Sequence, residues 1–169
     1  MTRGATKADD AAPRTIIVGA GLMGRHHARA AAAAGASIVA IVDRDDGVSA
    51  ALASRFGGAV TATDFEPIVT SIDADVVHIC TPPSSHVTLG QIAVAAGLHA
   101  LIEKPLALDA EKTRELLGQF DRANLIACPA HQYAFQQSVR TTVDAMPKLG
   151  AVHHVAFDIC SAGAARSGM

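Results

Sequence analysis

An apolar run that leads directly into a glycine-rich turn constrains this sequence more than any other feature. Residues 14–24 read RTIIVGAGLMG, which predicts a buried strand, a GxGxxG turn and the start of a helix. Gly19 permits the tight turn, Gly21 lets the backbone approach a phosphate, and Gly24 lets the helix lie close to the sheet. Because a helix N-terminus favours an anion, the pattern predicts a dinucleotide diphosphate site. Its expected contacts are Gly19, Gly21, Leu22, Met23 and Gly24.

A second apolar run ends in an acidic residue at the spacing that such a site needs. Ser37–Val42 reads SIVAIV and predicts a buried strand, which Asp43 follows. The Asp43 carboxylate can accept both hydroxyls of an adenosine ribose and would repel a 2′-phosphate, which favours NAD. Arg44 favours NADP instead, since a guanidinium can pair with a phosphate. The alternative is a glycine loop of another α/β protein, with Asp43 as an ordinary turn residue.

Strand-like and helix-like segments alternate along the chain, which is typical of a parallel sheet with crossover helices. The predicted fold is therefore α/β: a Rossmann-like, doubly wound, mainly parallel sheet, with one strand of an incomplete second domain. Helices are predicted at Leu22–Ala34, Val48–Phe56, Phe65–Ser71 after an Asp64 cap, Ser84–Ala96, from an Asp109 cap to about Ala123, and Tyr133–Ala145. Further strands are predicted at Ala59–Ala62, Asp75–Thr81, His99–Ile102 and Leu125–Ala130.

Two short motifs follow predicted strands, at the edge where open α/β sheets bind their ligands. In TPPSSH, residues 81–86, paired prolines end the strand. His86 then falls in the first turn of a helix, either near a nicotinamide ring or bonded to the backbone. In Glu103-Lys104-Pro105, the lysine either acts as a proton donor to a substrate oxygen or belongs to a solvated turn. Glu103 can pair with Lys104 or lie against the cofactor.

Composition excludes several classes of partner. The 169-residue chain has a formal net charge of −2, which gives no electrostatic basis for binding nucleic acid or a membrane surface. Residues 1–13 lack a signal-peptide core, and no later run is long enough to span a bilayer. Cys80, Cys128 and Cys160 form no CxxC pair, so buried free thiols are expected, with no metal site. These features predict a cytoplasmic protein.

The set GAGLMGRHHA, VDRD, CTPPSSH and EKP, in this order and spacing, resembles the Gfo/Idh/MocA family of NAD(P)-dependent oxidoreductases. The resemblance covers residue 14 to about residue 131. It implies that Lys104 is the active-site lysine, followed by a proline that is usually in a cis peptide. It also implies that Thr81, Pro82 and His86 line the nicotinamide ribose and ring. Hydride transfer between nicotinamide and a sugar, cyclitol or similar polyol or carbonyl substrate would follow.

Some residues depart from the family pattern or have an open role. His131 lies where the family usually has an asparagine and an arginine, and it either contributes to the substrate pocket or caps a helix. Together with Lys104 and His86 it completes the predicted catalytic set, while Glu103 and Lys104 also count as cofactor contacts. His27, on the first helix, is expected to pack near the phosphate loop in a structural role.

The resemblance also implies a domain division. Residues 1–13 are expected to be a disordered tail, 14–131 the dinucleotide-binding domain, 132–149 a connecting helix, and 150–169 the first strand of a truncated substrate domain. Without the rest of that domain, the chain is expected to bind cofactor and turn over poorly, and a cofactor-binding module that holds NAD(H) is the alternative function. Because a strand with unpaired edges promotes association, Ala151–Cys160 is expected either to pair with another copy, as a homo-oligomer, or to be disordered.

Overall fold

Six parallel strands form one sheet in the structure, a computed structural model that describes residues 11–156 and 158. They are β1 (Arg14–Val18), β2 (Ser37–Val42), β3 (Val60–Ala62), β4 (Val76–Ile79), β5 (His99–Ile102) and β6 (Ala127–Pro129). The helices are α1 (Leu22–Ala33), α2 (Asp46–Ala53), α3 (Phe65–Ser71), α4 (His86–Ala96), α5 (Ala110–Arg122) and α6 (Gln137–Ala145). The strand order β3-β2-β1-β4-β5-β6 is that of a Rossmann fold, so the predicted doubly wound sheet is confirmed.

Both faces of the sheet are covered, which explains why the strands read as continuous apolar runs. In β1, Ile16 and Val18 pack on one face, against a cluster that includes Phe65 and Phe120. Ile17 points to the other face and packs with buried residues of α1 and α2. Because successive side chains of a strand point to opposite faces, a strand between two helical layers favours apolar residues on both faces.

Aspartate side chains fix the starts of three helices. Asp64 and Asp109 cap α3 and α5 by accepting backbone N–H groups, as the sequence predicts. Asp45 caps α2 by accepting from Gly47 and Val48, so this helix starts at Asp46 and not at the predicted Val48. A second shift affects the predicted helix Ser84–Ala96, since its first turn is a 3₁₀ turn at Pro83–Ser85 and α4 begins at His86.

The described part of the predicted strand Ala151–Cys160 contains no strand in this single chain, and the expectation that the segment pairs with another copy or is disordered stays a prediction. Residues 151–156 and 158 have no strand conformation, while 157, 159 and 160 lie outside the described residues. A strand forms only where a neighbouring strand pairs with its backbone N–H and C=O groups, and nothing in the described residues pairs with this segment. The predicted disorder of the tail falls mainly on residues 1–10, which also lie outside the described residues.

The chain divides into two compact units between His131 and Gln132. The first unit contains the whole sheet and α1–α5. The second contains α6, with short 3₁₀ turns before it at Gln132–Phe135 and after it at Met146–Lys148. Among the described residues, no helix has the length and apolar character needed to cross a membrane.

Candidate functional site

A cavity of about 440 Å³ lies at the carboxyl ends of the central strands. The strand order reverses between β1 and β4, and the loops that leave these two strands therefore diverge to opposite faces of the sheet. The residues that line the cavity are Val18, Gly19, Gly21, Val42, Asp43, Arg44, Thr63, Asp64, Phe65, Cys80, Thr81, Pro82, Ser84, Ser85 and Leu89. This cleft is the place where open α/β sheets bind nucleotides.

The glycine turn between β1 and α1 forms one wall of the cavity. Gly19 has a φ of +92°, and a Cβ on it would lie 2.8 Å from the carbonyl oxygen of Cys80. A Cβ on Gly24 would overlap the carbonyl oxygen of Gly19, so only glycine lets α1 pack this closely against the turn. Apart from its neighbours in the chain, a Cβ on Gly21 would meet nothing within 4 Å, which leaves room for a ligand beside the backbone. The first turn of α1 contains no acidic side chain that would oppose an anion.

Asp43 connects the end of β2 to the glycine turn. Its Oδ2 accepts a hydrogen bond from the Ala20 backbone N–H at 2.7 Å, and its Oδ1 accepts from the Asp45 N–H at 3.0 Å. The carboxylate therefore braces the glycine turn as well as lining the cavity, a second role that the sequence did not indicate. Arg44 lines the cavity beside it.

His86 is fully buried at the start of α4. Its Nδ1 lies 2.9 Å from the Pro105 carbonyl oxygen, and its Nε2 lies 2.7 Å from the Thr81 carbonyl oxygen. This geometry is the backbone-bonded alternative, and it leaves no ring nitrogen free to meet a ligand. The histidine instead links the segment after β4 to the segment after β5.

Lys104 and Glu103 point in different directions after β5. Lys104 is exposed, and its bond to Pro105 is a cis peptide, as the resemblance implies. Glu103 is buried, with its Oε1 3.1 Å from the Nε2 of His27 on α1. The other carboxylate oxygen accepts the Lys104 backbone N–H at 3.1 Å. Glu103 therefore contacts the Lys104 backbone and the ring of His27, and it does not line the cavity.

Burial favours the neutral forms of two further groups, Cys80 and His78. Burial and the negative charge of Glu103 raise the pKa of the Cys80 thiol to about 12. Burial and the neighbouring His27 lower the pKa of His78 to about 4. The rings of His27 and His78 meet edge to face, with centroids 5.3 Å apart and an interplanar angle of 84°.

The structure brings together part of the predicted site. Six of the predicted cofactor contacts line the cavity: Gly19, Gly21, Asp43, Arg44, Thr81 and Pro82. Leu22 and Met23 are exposed at the start of α1, while Gly24 is buried under the turn. His131 is exposed after β6, at the end of the first unit.

One wall of the cavity, formed by Thr63, Asp64 and Phe65, was not predicted from the sequence. These residues follow β3, so the rule that ligands bind beyond the carboxyl ends of strands could have found them. Ser84 and Ser85, in the TPPSSH segment, and Leu89, on α4, also line the cavity, and the predicted cofactor contacts do not include them.

The family model of the Gfo/Idh/MocA proteins, an oxidoreductase family with an NAD-binding Rossmann fold, matches residues 14–131. UDP-N-acetylglucosamine 3-dehydrogenase of Acidithiobacillus ferrooxidans is 34% identical over 122 residues, which cover 70% of this chain and 36% of that enzyme. Inositol 2-dehydrogenase of Rhizobium meliloti is 37% identical over 102 residues, which cover 60% of this chain and 30% of that enzyme.

A solved structure adds a nucleotide complex to these matches. GenD2 from gentamicin A biosynthesis, in complex with NAD, superposes with a TM-score of 0.76 and 27% identity over 82% of this chain and 40% of that one. The chain thus spans about a third of the length of the curated relatives that it matches.

Proposed function

The chain belongs to the Gfo/Idh/MocA oxidoreductase family and carries its NAD-binding Rossmann fold, and on that premise we propose that it transfers a hydride between NAD and a sugar, cyclitol or similar polyol or carbonyl substrate. The observation that carries the proposal is the arrangement at one edge of the sheet. The glycine turn, Asp43 and the segment that bears Lys104 follow β1, β2 and β5, whose carboxyl ends all lie at this edge.

The cavity offers contacts for the diphosphate, the adenosine ribose and the nicotinamide half of a dinucleotide. The backbone at Gly19 and Gly21, together with the first turn of α1, offers N–H groups and a positive helix end to the diphosphate. Asp43 would accept the hydroxyls of the adenosine ribose. Thr81 and Pro82 line the cavity beyond β4, on the side that leads to β5 and Lys104, where the nicotinamide half would lie.

The chain's own contribution to the reaction is orientation and proton transfer. When bound, the nicotinamide ring supplies the carbon that accepts or returns the hydride. The exposed Nζ of Lys104 would take the proton from a substrate hydroxyl during oxidation and return it to the carbonyl oxygen during reduction. Hydride transfer also requires the substrate carbon to be held at about 3–3.5 Å from the nicotinamide. We propose His131, exposed at the end of the first unit, as a substrate contact.

The test is NAD reduction by the purified chain with a panel of sugars and cyclitols. Replacement of a general acid–base group lowers kcat by about 10²–10⁴-fold, so Lys104→Met should lose turnover to that extent and keep its NADH affinity. Lys112→Met is the matched control, because Lys112 is an exposed lysine on α5 and does not line the cavity. It should keep both properties.

Two outcomes count against the proposal. Turnover that survives Lys104→Met removes Lys104 from the reaction. NADH binding without turnover of any substrate in the panel favours the alternative, a module that holds the dinucleotide and does not itself complete a substrate pocket.

A further inference from the structure

A polar cluster, formed by His27, His78 and Glu103, lies between the sheet and α1. Apolar residues cover most of this face, where Ile17 and Ile41 pack against α1 and α2. At β4 and β5 the same face carries His78, which is partly buried, and Glu103, whose side chain is only 9% exposed. His27 covers them from α1 and is 11% exposed. Burial of three titratable groups in one place is costly unless their hydrogen bonds are made.

The contacts of the cluster form a chain that ends at the backbone of Lys104. His27 Nε2 lies 3.1 Å from Glu103 Oε1, and because a carboxylate only accepts, the Nε2–H donates. Glu103 Oε2 accepts the Lys104 N–H at 3.1 Å. Among the described residues, His27 Nδ1 has no hydrogen-bond partner, so Glu103 is the one hydrogen-bond partner of this ring. The Glu103 carboxylate thus joins α1 to Lys104, the residue that follows Glu103 in the chain.

Among the side chains of the cluster, His27 is the hydrogen-bond donor that fixes the position of the Glu103 carboxylate. His78 packs against the His27 ring edge to face, and burial keeps it neutral, with a pKa lowered to about 4. Cys80 stays protonated because burial and the charge of Glu103 raise its pKa to about 12. Within the cluster the hydrogen bond to His27 is the one that ties the carboxylate to another element.

We propose that His27 is a positioning residue for Lys104, which it orients through Glu103. His27 lies one helical turn after Gly24, whose lack of a side chain lets α1 pack against the glycine turn. A single contact therefore connects the helix that would hold the diphosphate to the segment that carries the proton-transfer group. The inference rests on the proposed function, since the orientation of Lys104 matters for catalysis only if Lys104 moves the proton.

Two substitutions at one position separate hydrogen bonding from packing. His27→Phe keeps a ring against His78 and removes the donor, whereas His27→Gln keeps an N–H donor near the position of Nε2 and removes the ring. The same two substitutions at His26, which is exposed on the neighbouring position of α1, are the controls. Glu103→Ala removes the acceptor shared by both contacts.

The primary measurement is hydrogen exchange of the Lys104 backbone amide in the ¹⁵N-labelled chain. We expect exchange to become about tenfold faster in His27→Phe and Glu103→Ala, and to stay within about twofold of the unsubstituted chain in His27→Gln and in both His26 variants. Exchange that is unchanged in His27→Phe, or faster in His27→Gln than in His27→Phe, would mean that the ring only fills space, and would overturn the inference.

A second measurement does not depend on any variant folding. Long-range ¹H–¹⁵N spectra of the unsubstituted chain should show a proton on His27 Nε2, and a proton on Nδ1 alone would contradict the inference. Where turnover is observed, His27→Phe should lower kcat by about tenfold while the NADH Kd stays unchanged, and His27→Gln should restore kcat. If the chain turns over no substrate, the proposed function fails, while the exchange rates and the spectra still decide the role of His27.

Discussion

Asp43 makes a structural contact and has a proposed binding role, and Asp43→Ala removes both. It braces the glycine turn through Ala20 and lines the cavity at the place where an adenosine ribose would lie. A hydrogen bond to a charged group contributes about 1.5–3 kcal/mol, so Asp43→Ala should weaken NADH binding by roughly 10- to 100-fold in a calorimetric titration. Asp46→Ala, at an exposed position of α2, should leave the affinity unchanged.

The same titration tests the preference between the two dinucleotides. Unchanged affinity in Asp43→Ala would remove Asp43 from the site. If the unsubstituted chain binds NADPH more tightly than NADH, the guanidinium of Arg44 outweighs the carboxylate of Asp43 at the ribose.

The lowered pKa of His78 predicts that the stability of the first unit depends on pH. Burial and His27 lower its pKa from 6.5 to about 4. Between these values the unfolded chain binds the proton and the folded chain does not, so the free energy of unfolding falls as the pH decreases from 6.5 and is fully retained above it. One pKa unit corresponds to about 1.4 kcal/mol, so the loss between pH 7 and pH 5 should be about 2 kcal/mol.

Urea unfolding at pH 7 and pH 5 measures this loss. In His78→Leu the difference between the two pH values should shrink by about 2 kcal/mol, because the titrating group is absent. His26→Gln, at an exposed position, should behave as the unsubstituted chain does. An equal difference in His78→Leu and the unsubstituted chain would show that His78 titrates in the folded chain as it does in the unfolded chain, so that its pKa is not lowered.

At the scale of elements, the helices and strands of the first unit can be predicted closely from the sequence, because the residues that define them lie within or next to each element. A strand covered on both faces favours apolar residues at successive positions, as residues 16–18 of β1 and 38–42 of β2 show. Gly19 and the Asp64 cap mark where elements end and begin. The start of α2 was missed because Asp45 and Asp46 are both acidic, and only the bonds to Gly47 and Val48 identify Asp45 as the cap.

Local sequence patterns do not predict contacts between elements that are distant in the chain. His27 and Glu103 are 76 positions apart, and no spacing rule indicates that a helix will place one over the other. The same holds for His86, whose two carbonyl partners lie in different loops. Residues 151–156 have no strand conformation for a related reason: a strand also needs a neighbouring strand to pair with, and a sequence pattern does not specify that partner.

For the whole molecule, the division at His131 predicts that cofactor binding and association are separate properties. Every residue that lines the cavity lies in the first unit, so a chain that ends at His131 should bind NADH with an affinity within about twofold of the 169-residue chain. The second unit exposes Phe135, Leu149 and Val155, each by more than two thirds of its surface. We expect these side chains to add to association, so light scattering should show a larger mass for the 169-residue chain than for the shorter chain. Equal monomeric masses would rule out association through residues 132–169, and a loss of NADH binding in the shorter chain would show that the second unit supports the site.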